Sequence, residues 1–218
     1  MSALLAAAAV VAAYLLGSVS GALLVGRLRG GVDIRTLGSG NAGGTNALRT
    51  QGPSFALAVL VIDLAKGWIA AALLPLAAAH YGAAHGGQVV PAWLPAACAL
   101  AAIVGHVWPL WHGFRGGKGV ATFAGALVAL APAALAVVLG VWLVVVMLTG
   151  YVGLASMAGA AALPLYVAVA KLEPRGALLA FGIAAALLVI FTHRANVARM
   201  RAGTESRARR LWLLGPRR

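Results

Sequence analysis

A polytopic, all-α transmembrane bundle is the fold predicted for this 218-residue chain, and three observations predict it. Hydrophobic residues make up 62% of the chain and charged residues 10%, with a mean hydropathy of +0.95, which lies outside the composition of water-soluble domains. The apolar residues fall into runs approaching the roughly 20 residues that cross a bilayer. Lys and Arg punctuate those runs instead of coating one surface, so the formal charge of +13 does not indicate a nucleic-acid partner. The single cysteine, Cys98, sits in an apolar stretch and reads as a small buried hydrophobe. It excludes an internal disulfide, a CxxC redox pair and a cysteine metal cluster.

The crossings follow in order. Residues 4–25 form the first, and it is too long, with no basic residue ahead of it, for the apolar segment of a cleaved signal peptide. Arg27 and Arg29 follow directly, which puts the N-terminus outside and the next loop in the cytoplasm. Residues 53–79 are the second crossing, interrupted by Asp63 and Lys66, and residues 91–108 the third. Residues 119–170 contain no Asp, Glu, Lys or Arg and make either two long spans or three short ones. Three spans, broken near Pro132 and near residues 150–153, return the Arg-rich tail to the cytoplasm, and residues 176–191 then complete seven. On that reading fourteen of the seventeen basic residues lie inside and only Lys171 and Arg175 outside. No repeat or linker divides the chain, so residues 1–218 are expected to form one membrane-embedded domain.

Three polar regions stand out, and this topology places all of them on the cytoplasmic side. Residues 37–50 carry glycines that allow close backbone approach, together with Ser39, Thr45, Asn46 and Arg49, a set suited to an anion. Gly38, Gly40 and Gly43 spell GxGxxG, but a dinucleotide site needs a βαβ unit, and the flanks here are transmembrane. A plain Gly-rich turn is the alternative. The second region, residues 105–122, places Gly116, Gly117, Lys118 and Gly119 before an apolar helix, where backbone N–H groups, helix dipole and ammonium can hold a phosphate. His112 and Gly119 occupy positions where a Walker A loop needs Gly and Ser or Thr, so ATP hydrolysis is not implied. Lys118 as a headgroup anchor is the plainer reading. The third region joins residues 151–157, with Ser156, to residues 193–199, where helical spacing brings His193 and Asn196 onto one face. Glu205 is expected to pair with nearby arginines and pin the tail. Asp63 and Lys66, one turn apart, read as a structural ion pair at the edge of the bundle.

Through GSGNAGGTNALRT, GHVWPLWHGFRGGKGVAT, YVGLASM and HRANVARMRAGTE, in that order, the chain resembles the bacterial acyl-phosphate:glycerol-3-phosphate acyltransferases. The resemblance implies a seven-helix, N-out membrane enzyme of the bacterial inner membrane that works without a cofactor or metal. It would make lysophosphatidic acid and inorganic phosphate from acyl phosphate and glycerol 3-phosphate. It also implies catalytic roles for Ser39, His193 and Asn196. Substrate binding would fall to Thr45, Asn46, Arg49, Gly116, Gly117, Lys118, Gly119 and Ser156, and a soluble enzyme would supply the acyl phosphate. Gly153 stands where the family carries a serine. Lys118, Arg49 and the glycine loops would hold the two phosphates, Ser39, Asn46 and Asn196 would orient the acyl group and its oxyanion, and His193 would assist proton transfer. The basic, apolar tail of residues 207–218 is expected to lie against anionic headgroups. A transporter of a phosphorylated metabolite is the competing reading, which midplane polar groups on broken helices would favour.

Overall fold

Ser18 and Ser20 divide the first apolar run in a way that hydropathy does not register. The Ser18 hydroxyl donates back to Tyr14 O at 2.9 Å, and Ser20 caps the following turn by accepting from Leu23 N at 3.4 Å. The run is therefore two helices, α1 (Ser2–Gly17) and α2 (Gly21–Leu28), bent by 46°. The computed structural model describes residues 2–87 and 89–215, and the tail arginines Arg217 and Arg218 lie outside them. Among the described residues there are ten α-helices and no strand. The chain is a multi-pass membrane protein. Among the described residues five helices are long and apolar enough to cross a bilayer, or six when the bent pair counts as one span.

Contacts divide the chain into two units, Met1–Leu130 and Ala131–Arg218. The first holds α1, α2, α3 (Gly44–Gln51), α4 (Pro53–Ala84), α5 (Leu94–Val107) and α6 (Val120–Leu130). Helix α4 is its spine, packed against α1, α2, α3, α5 and α6. Small residues set the crossings, as they do where lipid supplies no hydrophobic drive. A methyl at Gly17 would overlap the Ala102 backbone and one at Gly105 the Tyr14 carbonyl, so α1 and α5 touch backbone to backbone. Gly67 and Gly125 do the same between α4 and α6.

The second unit contains α7 (Pro132–Thr149), α8 (Val152–Ala170), α9 (Arg175–Thr192) and α10 (Arg194–Arg201). The breaks fall where the sequence places them. Pro132, lacking an N–H, opens α7. Gly150, at φ 76°, closes it in the left-handed conformation that glycine adopts without penalty. Helix α8 packs on both α7 and α9. The tail folds back on the end of α7: Ala208 N donates to Gly150 O at 2.8 Å, Leu213 N to Met147 O at 2.9 Å and Trp212 Nε1 to Leu148 O at 3.2 Å. These bonds satisfy carbonyls that a helix C-terminus leaves open. Arg207 stacks between Tyr151 and Trp212, 4.5 and 4.1 Å from their ring centres.

Candidate active site

In the first unit, residues 37–50 are shaped by one buried amide. Asn46 donates through Nδ2 to the carbonyls of Ile34, Leu37 and Asn41 at 2.9, 3.0 and 3.1 Å, and its Oδ1 accepts from Ser39 N at 2.9 Å. Its donors are committed to the loop itself, so Asn46 sets the position of Ser39. Thr45 and Arg49, four residues apart on α3, share the exposed face of that helix, and Ser39 is exposed as well.

The second loop docks on the end of α5. Gly116 N donates to Val107 O and Gly117 N to His106 O, both at 3.1 Å. Those two amides hold the loop to its own helix, where the sequence suggested that they hold a phosphate. Methyls at Gly116 and Gly117 would overlap His106 O and His106 Nε2, so both glycines serve close packing. Gly119, at φ 84°, turns the chain into α6, and Lys118 is half-buried between Gly117 and Gly119.

Arg35 ties the two loops together, a role the sequence reading missed. Its guanidinium pairs with Asp33 at 2.7 Å, and its Nη1 donates to His112 O at 3.0 Å and Arg115 O at 3.3 Å. The hydrogen bond from the Arg35 side chain holds the Asp33 carboxyl below its usual 3.8. A carboxylate with a depressed folded value contributes above its unfolded value, so this clamp is released only as acid protonates Asp33 beneath the ordinary range.

Asp63 and Lys66 form the expected pair at 2.9 Å, but not at the edge of the bundle: they are 1% and 2% exposed. The α1–α2 break explains how the charges are tolerated. Lys66 Nζ donates to Val19 O, a carbonyl released by that break, at 2.7 Å, and Gly21 N donates to Asp63 Oδ1 at 3.3 Å. The third partner of Lys66 is His106 Nδ1 at 2.9 Å, a residue 40 positions away that no local spacing links to it. Three acceptors saturate an ammonium's three N–H donors.

In the second unit, His193 sits where α9 ends and α10 begins, buried, with φ −93° and ψ 6°. Its Nδ1 lies 2.8 Å from Val189 O, which can only accept, so the ring proton is assigned to Nδ1 and Nε2 is the basic nitrogen. Asn196, one turn on, donates through Nδ2 to Glu205 Oε1 at 2.7 Å, and Arg199 Nε donates to Glu205 Oε2 at 2.6 Å. Glu205 does pin the tail as expected, and it holds the Asn196 amide too. Ser156 Oγ donates to Val152 O at 2.9 Å and accepts from Trp142 Nε1 at 3.3 Å.

Gly153 lies against Asn196. An added Cβ there would sit 3.0 Å from Asn196 Nδ2 and 3.1 Å from Cβ and Cγ, tight enough to push that side chain by a few tenths of an ångström. Gly153→Ala is accordingly expected to lower kcat by about tenfold, the scale on which small misplacements act. Steady-state turnover with the protein folded, judged by its thermal transition, checks this; unchanged turnover would show that the Asn196 position is not critical.

A family profile described as glycerol-3-phosphate acyltransferase matches residues 7–203. The glycerol-3-phosphate acyltransferase of Chlorobaculum parvum is 40% identical over 224 residues, covering 92% of this chain and 95% of its own length. That of Chlorobium chlorochromatii is 37% identical over 223 residues, again covering 92% and 95%. The crystal structure of PlsY (YgiH), an integral membrane glycerol 3-phosphate acyltransferase, in its glycerol 3-phosphate form matches with a TM-score of 0.78 and 34% identity, covering 93% of this chain and 94% of that one. The lysophosphatidic acid form of PlsY matches at 0.77 and 33%, covering 94% and 97%.

Proposed function

The chain belongs to the glycerol-3-phosphate acyltransferase family, and from that premise we propose that it moves a fatty acyl group from acyl phosphate to the 1-hydroxyl of sn-glycerol 3-phosphate. The products are lysophosphatidic acid and inorganic phosphate, and the reaction opens bacterial phospholipid synthesis. The observation that carries this reading is the extent of the family match, whose residues 7–203 take in the first three polar stretches and most of the fourth.

An acyl phosphate is a mixed anhydride and needs no further activation. The 1-hydroxyl oxygen attacks the acyl carbon, the bond from that carbon to the bridging oxygen breaks, and phosphate leaves with the electron pair. The protein's task is positioning and charge stabilisation. Lys118 and Arg49 hold phosphate, with Thr45 beside Arg49 on the exposed face of α3. Ser39, placed by Asn46, and Asn196, placed by Glu205, orient the acyl group, and the Nε2 atom of His193 takes the hydroxyl proton. Gly116, Gly117 and Gly119 let the Lys118 loop lie close on α5, and Ser156 supports the start of α8. Both units serve one reaction as a single acyltransferase domain. Seven crossings, with the N-terminus outside and the C-terminus in the cytoplasm, turn all four polar stretches to the cytoplasmic face of the inner membrane. There a soluble enzyme supplies acyl phosphate and the basic tail meets anionic headgroups.

The broken first span beside buried charges is the one feature that suits a transporter. Its ammonium, however, already holds three acceptors and has no donor left for a cargo. Purified protein given acyl phosphate and glycerol 3-phosphate is expected to form lysophosphatidic acid and inorganic phosphate in equal amounts. No product, combined with glycerol 3-phosphate uptake into liposomes, would establish transport instead. Lys118→Ala is expected to raise the KM for glycerol 3-phosphate roughly 10- to 100-fold, the value of a charge-assisted hydrogen bond. An unchanged KM would remove Lys118 from the phosphate site.

A further inference from the structure

Asp63, Lys66 and His106 are ionisable, buried and unused by the mechanism above. An ammonium can only donate, so His106 Nδ1, 2.9 Å from Lys66 Nζ and 3.4 Å from Asp63 Oδ1, is assigned as the acceptor from Lys66 and the ring proton to Nε2. The ring is thereby fixed in rotation and tautomer, as a supporting carboxylate fixes a metal-bound imidazole. Its Nε2 edge faces the α carbon of Gly117, where a methyl would overlap it and would also come within 2.8 Å of Ala42 O. Gly117 is joined to the His106 backbone by its own N–H. One buried cluster thus runs from the α1–α2 break at Val19, through α4 and α5, to the point where residues 37–50 and 116–119 meet. Lys118 is the next residue along.

We infer that the Asp63–Lys66–His106 cluster is a positioning device for the glycerol-phosphate site, setting where Lys118 stands by holding the His106 ring against Gly117. The inference rests on the reading of residues 116–119 as the phosphate loop. These three side chains act through the loop and do not contact the reacting atoms. Their signature is selective: affinity for glycerol 3-phosphate depends on them, and affinity for acyl phosphate does not.

A double-mutant cycle between His106 and Gly117 tests it, with kcat and both KM values measured on purified, folded protein. Gly117→Ala and His106→Ala are each expected to raise the KM for glycerol 3-phosphate by about tenfold, and because they disturb one contact their effects should not multiply in the double variant. The KM for acyl phosphate should stay within about twofold in every case. His106→Gln, which can still accept from Lys66, is expected to fall between His106→Ala and the wild type, and it carries the same cycle should the alanine variant fail to fold. Multiplying effects, or equal losses on both substrates, would overturn the inference. Gly117→Ala requires no change in the buried charges, and an unchanged KM for glycerol 3-phosphate there would overturn it alone. Lys118→Ala run alongside separates the levels. No effect of Lys118→Ala removes the phosphate reading and this inference together, whereas a clear effect with an additive cycle removes the inference only.

Discussion

Replacing His193 with alanine is expected to lower kcat by about a hundred- to ten-thousandfold, the range over which a positioned general base contributes, with both KM values within about threefold. The expectation follows from where the chain puts the ring. Helix α9 ends at Thr192, so His193 stands at the joint with α10, away from the apolar middle of the span, and is still buried. The bond from Nδ1 to the Val189 carbonyl fixes the tautomer and leaves Nε2 as the atom that receives a proton. Turnover of the His193→Ala protein, measured across pH, checks this. Wild-type turnover throughout would assign the proton to a substrate phosphate and reduce His193 to a helix-joint residue.

The second large effect is on stability. Lys66→Met is expected to destabilise the protein by about 3–5 kcal/mol, the cost of leaving a buried carboxylate without its partner. That is a large share of the roughly 5–15 kcal/mol by which folded proteins exceed their unfolded states. Asp63 would keep the Gly21 N–H at 3.3 Å and the neutral His106 ring, whose Nδ1 lies 3.4 Å away, but no cation, and the Val19 carbonyl would lose its donor inside the apolar interior. Adding Asp63→Asn to Lys66→Met should recover most of the loss, since no uncompensated charge remains. Thermal unfolding in detergent measures both variants. A Lys66→Met protein as stable as the wild type would mean that the pair contributes nothing to the fold.

What the sequence made legible and what it hid divide along the range of the interactions. The breaks at Pro132 and Gly150 were readable because each is a property of one residue: a missing N–H in the first, a left-handed backbone in the second. The Glu205 pairing was readable because Arg199 is six positions away. The break at residues 18–20 was not, because Ser18 and Ser20 satisfy the local backbone with their hydroxyls while leaving the mean hydropathy of the run high. The burial of Asp63 and Lys66 followed it into obscurity, since their stabilising partners, Val19 O and His106, are 47 and 40 residues distant. For the same reason the role of Arg35 is hidden, since its guanidinium reaches carbonyls 77 and 80 positions on. The loop residues were found by composition, but composition does not sort their roles. Exposed Arg49 and Thr45 face outward, whereas Asn46 faces inward and holds Ser39.

Sidedness is the most direct measurement of the claim that the polar stretches serve one cytoplasmic reaction. Single cysteines at the exposed positions Ser39, Arg115, Arg194 and Lys171, each in a Cys98→Ala background, can be probed with a membrane-impermeant maleimide in intact cells and in inverted vesicles. The account predicts that Ser39→Cys, Arg115→Cys and Arg194→Cys react only in inverted vesicles and Lys171→Cys only in intact cells. Labelling of Arg115→Cys and Arg194→Cys from opposite faces of the membrane would contradict it.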